Sequence, residues 1–155
     1  MRNEPAPSVL DACGGGPTRG FVAASRGLHF TCIELREEQV KANVDMNRAL
    51  LRDGAPMPRY VQGDGRRARE LLPREEGTYD MLLMCPPYYN LERYSKLPED
   101  LSKCESPEAF DAALSDLVAA ACLVRASHAA HRSSRPRHAV ASGFTDTCWH
   151  AVFKA

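Results

Sequence analysis

The stretch "SVLDACGGGPTRG" (residues 8–20) passes from an apolar run into three consecutive glycines. The run 8–13 predicts a short buried strand. Glycines at 14–16 predict a tight loop, and residues 18–27 predict a short helix ending at Gly27. A buried strand, a turn and a helix in this order begin a βαβ unit, so this stretch sets the predicted fold.

The same alternation continues along the chain. Apolar and β-branched runs predict three more strands, and periodic segments predict three more helices. The predicted strands are 28–35, 59–64 and 79–85, and the predicted helices are 36–54, 65–73 and 106–124. We therefore expect an α/β fold with a Rossmann-like, doubly wound, mainly parallel sheet covered on both faces. Right-handed crossovers place the carboxyl ends of all strands at one edge, where such sheets bind ligands.

Two helices have an apolar face that can be read from spacing. In 36–54, the predicted face is formed by Val40, Val44, Leu50 and Leu51. In 106–124, Ser106 is the predicted cap, and the predicted face is Phe110, Leu114, Leu117, Val118 and Cys122. About twenty polar residues precede this last helix, and a loop of that length is usually functional or disordered.

Composition limits the class of protein. The 155 residues are 44% hydrophobic and carry 20 basic and 20 acidic side chains, which fits one globular domain without a global electrostatic sign of a nucleic-acid partner. The six cysteines show no CxxC pair or zinc spacing, so we expect reduced thiols and no metal site. Because there is no membrane-length apolar run and no signal-peptide pattern, we expect a cytoplasmic protein without a membrane partner.

The last part of the chain differs from the rest. Residues 123–155 hold four of the five histidines, with five basic side chains and one acidic one. No periodicity supports further strand–helix units there. We expect a core domain over 8–124 and an irregular tail over 125–155 that is disordered or non-homologous, so that the sheet is incomplete on its C-terminal side.

Three acids lie at the ends of the first three predicted strands. Asp11 precedes the glycine loop of Gly14, Gly15 and Gly16, where a carboxylate suits a ligand with an ammonium group. The alternative for this loop is a tight turn that packs a helix on a strand. The third glycine of a GxGxxG pattern is replaced by Arg19, and no Walker lysine is present.

The second and third acids have equally ordinary alternatives. Glu34 can accept from two ribose hydroxyls, or it can be a solvated acid near a helix start. Asp64 can accept from an adenine amino group, although alone it is better explained as a helix cap. Taken together, three acids and a glycine loop at one edge outline a pocket for a cationic amino acid joined to a nucleoside, the parts that make up S-adenosylmethionine.

The segment "YDMLLMCPPYYNLERYS" (79–95) adds a Cys-Pro-Pro-Tyr sequence after an apolar strand. With "VLDACGGGPTRG", "IEL" and "QGD", it resembles the motifs of S-adenosylmethionine-dependent DNA amino-methyltransferases of the phage and bacterial Pro-Pro-Tyr type. The resemblance spans residues 8 to 122. It implies a methyltransferase-type sheet, S-adenosylmethionine as cofactor, DNA with a flipped base as partner, and a role in DNA methylation such as restriction–modification.

The resemblance also implies residue roles. It places Asp11, Gly14, Gly15 and Gly16 in the methionine-binding loop, Glu34 at the ribose and Asp64 near the adenine. The catalytic tetrapeptide is Cys85, Pro86, Pro87 and Tyr88. A proline carbonyl can accept from the target amine, and a tyrosine face can stack on the flipped base. Cys85 replaces the usual acid, amide or serine. Cysteine is closest in shape to serine, and this favours cytosine over adenine.

Other functions stay open at this point. The short N-terminal segment, the absence of a recognition domain and the unusual tail suggest a truncated member, with a non-catalytic remnant as one alternative. A methyltransferase acting on another planar amine, in RNA or a protein glutamine, is a second alternative. A nicotinamide-dependent dehydrogenase is disfavoured by the broken glycine pattern. The recognition sequence and the oligomeric state are not predicted.

Overall fold

The computed structural model describes residues 6–75 and 77–126. Within them, strands and helices alternate. The strands are β1 (Ser8–Asp11), β2 (His29–Glu34), β3 (Arg59–Gln62) and β4 (Met81–Leu82). The helices are α1 (Thr18–Ser25), α2 (Glu37–Leu50), α3 (Ala68–Leu71) and α4 (Pro107–Ala126), with 3₁₀ turns at Gly65–Arg67 and Leu101–Lys103. The predicted α/β class is confirmed.

All four strands are parallel, in the order β3-β2-β1-β4. Register is fixed by pairs such as Val9 with Phe30 and Cys32 with Tyr60. The chain moves outward from β1 to β3 and then returns to the other side of β1. The reversal of strand order therefore lies between β1 and β4, which is where open α/β sheets bind ligands and is compatible with a Rossmann-like fold.

The core occupies both faces of the two central strands. On one face, Val9, Phe30 and Cys32 pack with Ala23 of α1. On the other, Leu10 and Ile33 pack with Ala68 of α3, with Leu72 directly after that helix and with Val124 of α4. Residues on alternate positions of β1 thus point into different layers, as strand geometry requires.

The helix α4 matches its prediction closely. The Ser106 hydroxyl accepts from the backbone N–H of Ala109 at 3.2 Å, which makes it the cap. Leu114, Leu117 and Ala121 are buried, and Phe110 and Val118 pack beside them. This long helix covers the sheet at the β1–β4 side, because it also contacts Leu82 and Met84. No helix among the described residues is long and apolar enough to cross a membrane.

The predicted apolar face of α2 is wrong. The two fully buried residues of this helix are Asn43 and Asn47, one turn apart, whereas Leu50 is 57% exposed. The cause is hydrogen bonding that the hydrophobic pattern does not report. Asn43 donates to the carbonyl of Gly15, and Asn47 donates to the hydroxyl of Tyr60.

Two other elements are shorter than expected. The predicted strand 79–85 is a β-strand only at Met81–Leu82, where it pairs with Val9 and Leu10 of β1. Side chains alternate along this segment, so that Met81 and Leu83 are exposed. Within the described residues, β1 and β2 are therefore covered on both faces of the sheet, whereas β4 is covered on one face. The predicted helix 65–73 is a 3₁₀ turn followed by one turn of α-helix.

Candidate functional site

The loops that follow the four strands enclose one cavity of about 480 Å³. This volume lies in the range of small-molecule sites. Seven of the ten residues proposed from the sequence line it: Gly14, Gly15, Gly16, Glu34, Asp64, Cys85 and Pro87. The fold therefore brings together residues that are up to 73 positions apart in the chain.

Asp11, Pro86 and Tyr88 are not part of the cavity lining. Asp11 lies beneath the glycine loop with no solvent exposure. Pro86 is half-buried, and Tyr88 is 63% exposed, so its ring is accessible to a partner outside the cavity. The small-molecule cavity and the outward-facing end of the Cys-Pro-Pro-Tyr segment are thus neighbouring but distinct surfaces.

Gly14 and Gly16 of the glycine loop differ in what surrounds them. A Cβ on Gly14 would lie 2.7 Å from the Sγ of Cys32 and 2.8 Å from the carbonyl oxygen of Ile33, so this glycine allows the loop to touch β2. Its N–H donates to that same Ile33 oxygen at 2.8 Å. A Cβ on Gly16 would have no neighbour within 4 Å. The loop is thus anchored at its start and open towards the cavity at its end.

Asp11 forms an ion pair with Arg19. The Nε of Arg19 donates to Oδ2 of Asp11 at 2.6 Å, and the backbone N–H of Cys13 donates to Oδ1 at 3.1 Å. Burial raises the pKa of Asp11 to about 6, with Arg19 acting in the opposite direction. Since both oxygens already accept protein donors, the side chain that reaches the cavity from this pair is the arginine.

Glu34 has the same type of arrangement. Its Oε1 accepts from the backbone N–H of Arg36 at 2.9 Å and from Arg36 Nε at 3.1 Å. The other oxygen, Oε2, accepts none of the hydrogen bonds found within residues 6–75 and 77–126. The side chain lines the cavity although the residue is buried, so one carboxylate oxygen is available to a ligand hydroxyl.

Asp64 is both a helix cap and a cavity residue. It accepts from the backbone N–H of Arg66 at 2.9 Å, as the first residue before the 3₁₀ turn, and it pairs with the Arg66 guanidinium at 2.7 Å. The helix-cap interpretation of this residue is therefore confirmed, and the same residue also lines the cavity. The cap holds the carboxylate at the cavity wall rather than competing with that position.

One local geometry repeats at all three strand ends. Each acid accepts the backbone N–H two residues further on, which closes the turn after the strand. Each acid also has an arginine partner, so none of the three strand-end carboxylates stands alone. In "IELR" and "GDGR", the acid is followed two positions later by its arginine partner. This spacing could have been read from the sequence, but the pairing was not predicted.

A partly buried chain of polar side chains connects two sides of the cavity. From Arg36, Nη2 donates to the side-chain oxygen of Gln39 at 3.0 Å. The Gln39 amide donates to Asn43 Oδ1 at 2.8 Å, and Asn43 Nδ2 donates to the Gly15 carbonyl at 2.7 Å. The chain joins the Glu34 wall to the glycine loop. Asn43 was not predicted, although polar residues at 39, 43 and 47 on one helix face were a usable signal.

The segment after β4 forms the opposite wall. Cys85 and Pro87 line the cavity, and Tyr89 packs its ring against Phe110 with centroids 5.8 Å apart. Tyr89 has a φ of +47°, which a bulky side chain rarely adopts. Such conformations concentrate at functional sites, where surrounding packing must hold them in place.

Asp100 organises the remaining wall. It is buried and accepts four hydrogen bonds, two from Ser95 and two from Ser102, at 2.6 to 2.9 Å. Burial alone would raise the pKa of Asp100, but these donors outweigh burial and hold the pKa below its ordinary value. Ser95, which had no predicted role, thus shapes the wall together with the neighbouring Tyr94 and Glu99.

The cavity is acidic. Its lining includes four carboxylates, Glu34, Asp64, Glu99 and Asp100, and two guanidinium groups, Arg19 and Arg36. A ligand with net positive charge is favoured by this balance. Cys13 also lines the cavity, but burial raises the pKa of its thiol to about 12, so it is held as the neutral thiol. No group of three or more His, Cys, Asp or Glu residues within the described part of the chain is arranged to hold a metal ion.

Comparison with known proteins adds no relative. No family model, no curated protein and no solved structure matches the chain.

Proposed function

We propose that this protein is an S-adenosylmethionine-dependent DNA methyltransferase of the amino-methylating type, with cytosine favoured over adenine as the target base. The observation that carries the proposal is that Gly14–Gly16, Glu34, Asp64, Cys85 and Pro87 line the same cavity at the reversal of strand order. The motifs that resemble this enzyme family in sequence are therefore also neighbours in space.

The residues present fit the cofactor in three respects. The acidic lining suits a ligand that carries a sulfonium and an ammonium group against one carboxylate. Glu34 has an oxygen available for a ribose hydroxyl. The loop at Gly16 is open enough for a ligand to approach the backbone closely. The bound cofactor would supply the electrophilic methyl group.

The chain's own residues would act on the target amine by position. An exocyclic amine is a poor nucleophile because its lone pair is delocalised into the ring, and acceptors placed near its hydrogens favour a pyramidal nitrogen. The carbonyl of Pro86 is such an acceptor, and two consecutive prolines stiffen the backbone that holds it. This is complementarity to developing charge in the transition state.

Tyr88 would hold the base. The residue is 63% exposed and follows Pro87 of the cavity wall, so its ring is accessible to a base that has left its helix. The Cys85 thiol lies at the cavity wall, where an acid, an amide or a serine is usual in the family that the sequence resembles. Because sulfur is a weak acceptor, the Pro86 carbonyl would carry most of the polarisation.

Binding and transfer can be tested separately. Calorimetric titration with S-adenosylmethionine tests the cavity, and Glu34→Gln should weaken binding about tenfold or more, because an amide is a poorer acceptor for a ribose hydroxyl. Glu37→Gln is the matched control, since Glu37 is an exposed acid that pairs with Lys41 on the outer face of α2. It should leave affinity unchanged. No binding by the wild-type protein would refute the proposal.

Transfer is tested with a labelled methyl group and double-stranded and single-stranded DNA, followed by nucleoside analysis to name the base. Tyr88→Ala should abolish most of the labelling and Tyr88→Phe should retain it, because stacking needs the ring but not the hydroxyl. Cofactor binding without labelled DNA would reject the DNA reaction. Label on RNA or on a glutamine-containing protein would then identify the other planar-amine reaction.

A further inference from the structure

Arg19 occupies a position in the cavity that the sequence motif did not assign. Its guanidinium is held from below by Asp11 at 2.6 Å and by the carbonyl oxygen of Cys13, which accepts from Nη2 at 3.2 Å. Nη1 takes part in none of the hydrogen bonds found within residues 6–75 and 77–126. The arginine side chain is 28% exposed and lines the cavity beside the glycine loop.

This arrangement leaves guanidinium N–H donors of Arg19 that have no hydrogen-bond partner among the described residues. A guanidinium has five N–H groups, and the two contacts to Asp11 and Cys13 use two of them. The remaining donors include both protons on Nη1. Because Asp11 and Cys13 fix the plane of the guanidinium in advance, little side-chain entropy is lost when an anion binds to it.

The nearest backbone is the glycine loop. Nη2 of Arg19 lies 3.8 Å from the position that a Cβ on Gly15 would occupy. Gly16, the next residue, has open space around it. An anionic group placed beside Gly15 and Gly16 would therefore come within reach of the guanidinium.

The chemistry of the cavity selects the type of anion. Four lining carboxylates outnumber the two lining arginines, so a dianionic phosphate is disfavoured. A monoanionic carboxylate that belongs to a ligand with compensating positive charge avoids that repulsion. Its two oxygens also match the paired N–H geometry of arginine.

We propose that Arg19, oriented by the buried carboxylate of Asp11, is the group that binds the ligand carboxylate at the floor of the cavity. The proposal rests on the proposed function, since the ligand carboxylate is that of the methionine part of the cofactor. It also changes the role of Asp11, which becomes a positioning residue for Arg19 instead of a direct partner for the ligand ammonium.

Decarboxylated S-adenosylmethionine provides the test, because it keeps the sulfonium and the ammonium and lacks only the carboxylate. Calorimetry should show that wild-type protein binds S-adenosylmethionine about 10- to 100-fold more tightly than the decarboxylated analogue, the range given by a hydrogen-bonded charge pair. In Arg19→Gln, the two affinities should differ by no more than about threefold. The affinity for S-adenosylmethionine should fall, whereas the affinity for the decarboxylated analogue should change little.

Arg36→Gln is the matched control. Arg36 is the other arginine of the cavity lining, but its contacts go to Glu34 and Gln39. Its replacement should weaken both ligands equally and leave their ratio near the wild-type value. The double variant Asp11→Asn with Arg19→Gln removes both charges, so it tests the same ratio without leaving a buried, unpaired carboxylate.

The outcomes are distinct. A wild-type protein that binds both ligands with equal affinity, or a ratio that survives in both Arg19 variants, overturns the assignment while leaving the proposed function intact. A ratio lost in Arg36→Gln but kept in the Arg19 variants moves the carboxylate to Arg36 and also overturns it. Binding of neither ligand by the wild-type protein rejects the proposed function, and the assignment with it.

Discussion

Replacement of Asn43 by alanine isolates the link between the interior of α2 and the glycine loop. Asn43 has no solvent exposure, donates to the Gly15 carbonyl at 2.7 Å and accepts from Gln39 at 2.8 Å. Each hydrogen bond contributes about 0.5–1.5 kcal/mol, and an unpaired buried partner costs about 1–3 kcal/mol. We expect Asn43→Ala to lower the free energy of unfolding by about 2–4 kcal/mol.

The same change should loosen the loop. A backbone residue that is no longer held must be ordered again when ligand binds, at about 1–2 kcal/mol each. With one such residue, the affinity for S-adenosylmethionine should fall about tenfold. Hydrogen exchange of peptides covering residues 12–17 should also become faster, and this measurement needs no ligand.

Asn47→Ala is the matched control, because Asn47 is equally buried on the same helix and one turn away. Its amide donates to the Asn43 carbonyl and to the Tyr60 hydroxyl, at 2.8 and 2.9 Å, and not to the loop. Its Oδ1 has no partner among the described residues, so the loss in unfolding free energy should be smaller, about 1–3 kcal/mol.

Urea denaturation followed by circular dichroism gives the two stabilities, and exchange mass spectrometry gives the loop dynamics. Asn47→Ala should leave exchange over residues 12–17 and ligand affinity within about twofold of wild type. Equal acceleration of loop exchange in both variants would refute the reasoning, since it would mean that loss of helix packing, and not the Gly15 contact, frees the loop. Unchanged loop exchange in Asn43→Ala would refute it as well.

Three further predictions concern single substitutions. The pKa of Asp11 is raised from 3.8 to about 6, so the folded protein holds this proton more tightly than the unfolded chain, and the free energy of unfolding falls as the pH rises through that range. Relative to Asp11→Asn, the wild-type protein should therefore lose about 3 kcal/mol of unfolding free energy between pH 3.8 and about 6, measured by denaturation at a series of pH values. Parallel pH profiles of the two proteins would contradict this. The lowered pKa of Asp100 has the opposite sign, so its contribution is present above the ordinary pKa and lost as the pH falls, and Asp100→Asn should flatten the acid side of the wild-type curve. Gly65→Ala places a Cβ against the carbonyl oxygen of Ala12 and should lower the free energy of unfolding by about 3 kcal/mol or more. Gly16→Ala places its Cβ in open space and should change the free energy of unfolding by less than about 1 kcal/mol. Similar thermal midpoints for the two variants would contradict this difference in packing.

Much of the architecture could be predicted from local pattern. An apolar run that stops at glycine predicted β1, and a run rich in β-branched and aromatic residues predicted β2. Capping at Ser106 together with a 3.6-residue period predicted α4, because these signals act over a few neighbouring residues. The strand after residue 79 could not be delimited in this way. Only Met81 and Leu82 pair with β1, whose partner residues lie 72 positions earlier in the chain, so this pairing is decided by the tertiary structure.

The candidate site, too, could be predicted from the sequence only in part. Sequence alone placed an acid or a glycine loop after each of the first three strands, and parallel topology then required those strand ends to share an edge. It did not indicate that Asp11 is already paired with Arg19, or that the fully buried residues of α2 are two asparagines. Those features depend on hydrogen-bond partners that are 8 to 28 positions away, and only the packed tertiary structure brings the two sides of each contact together.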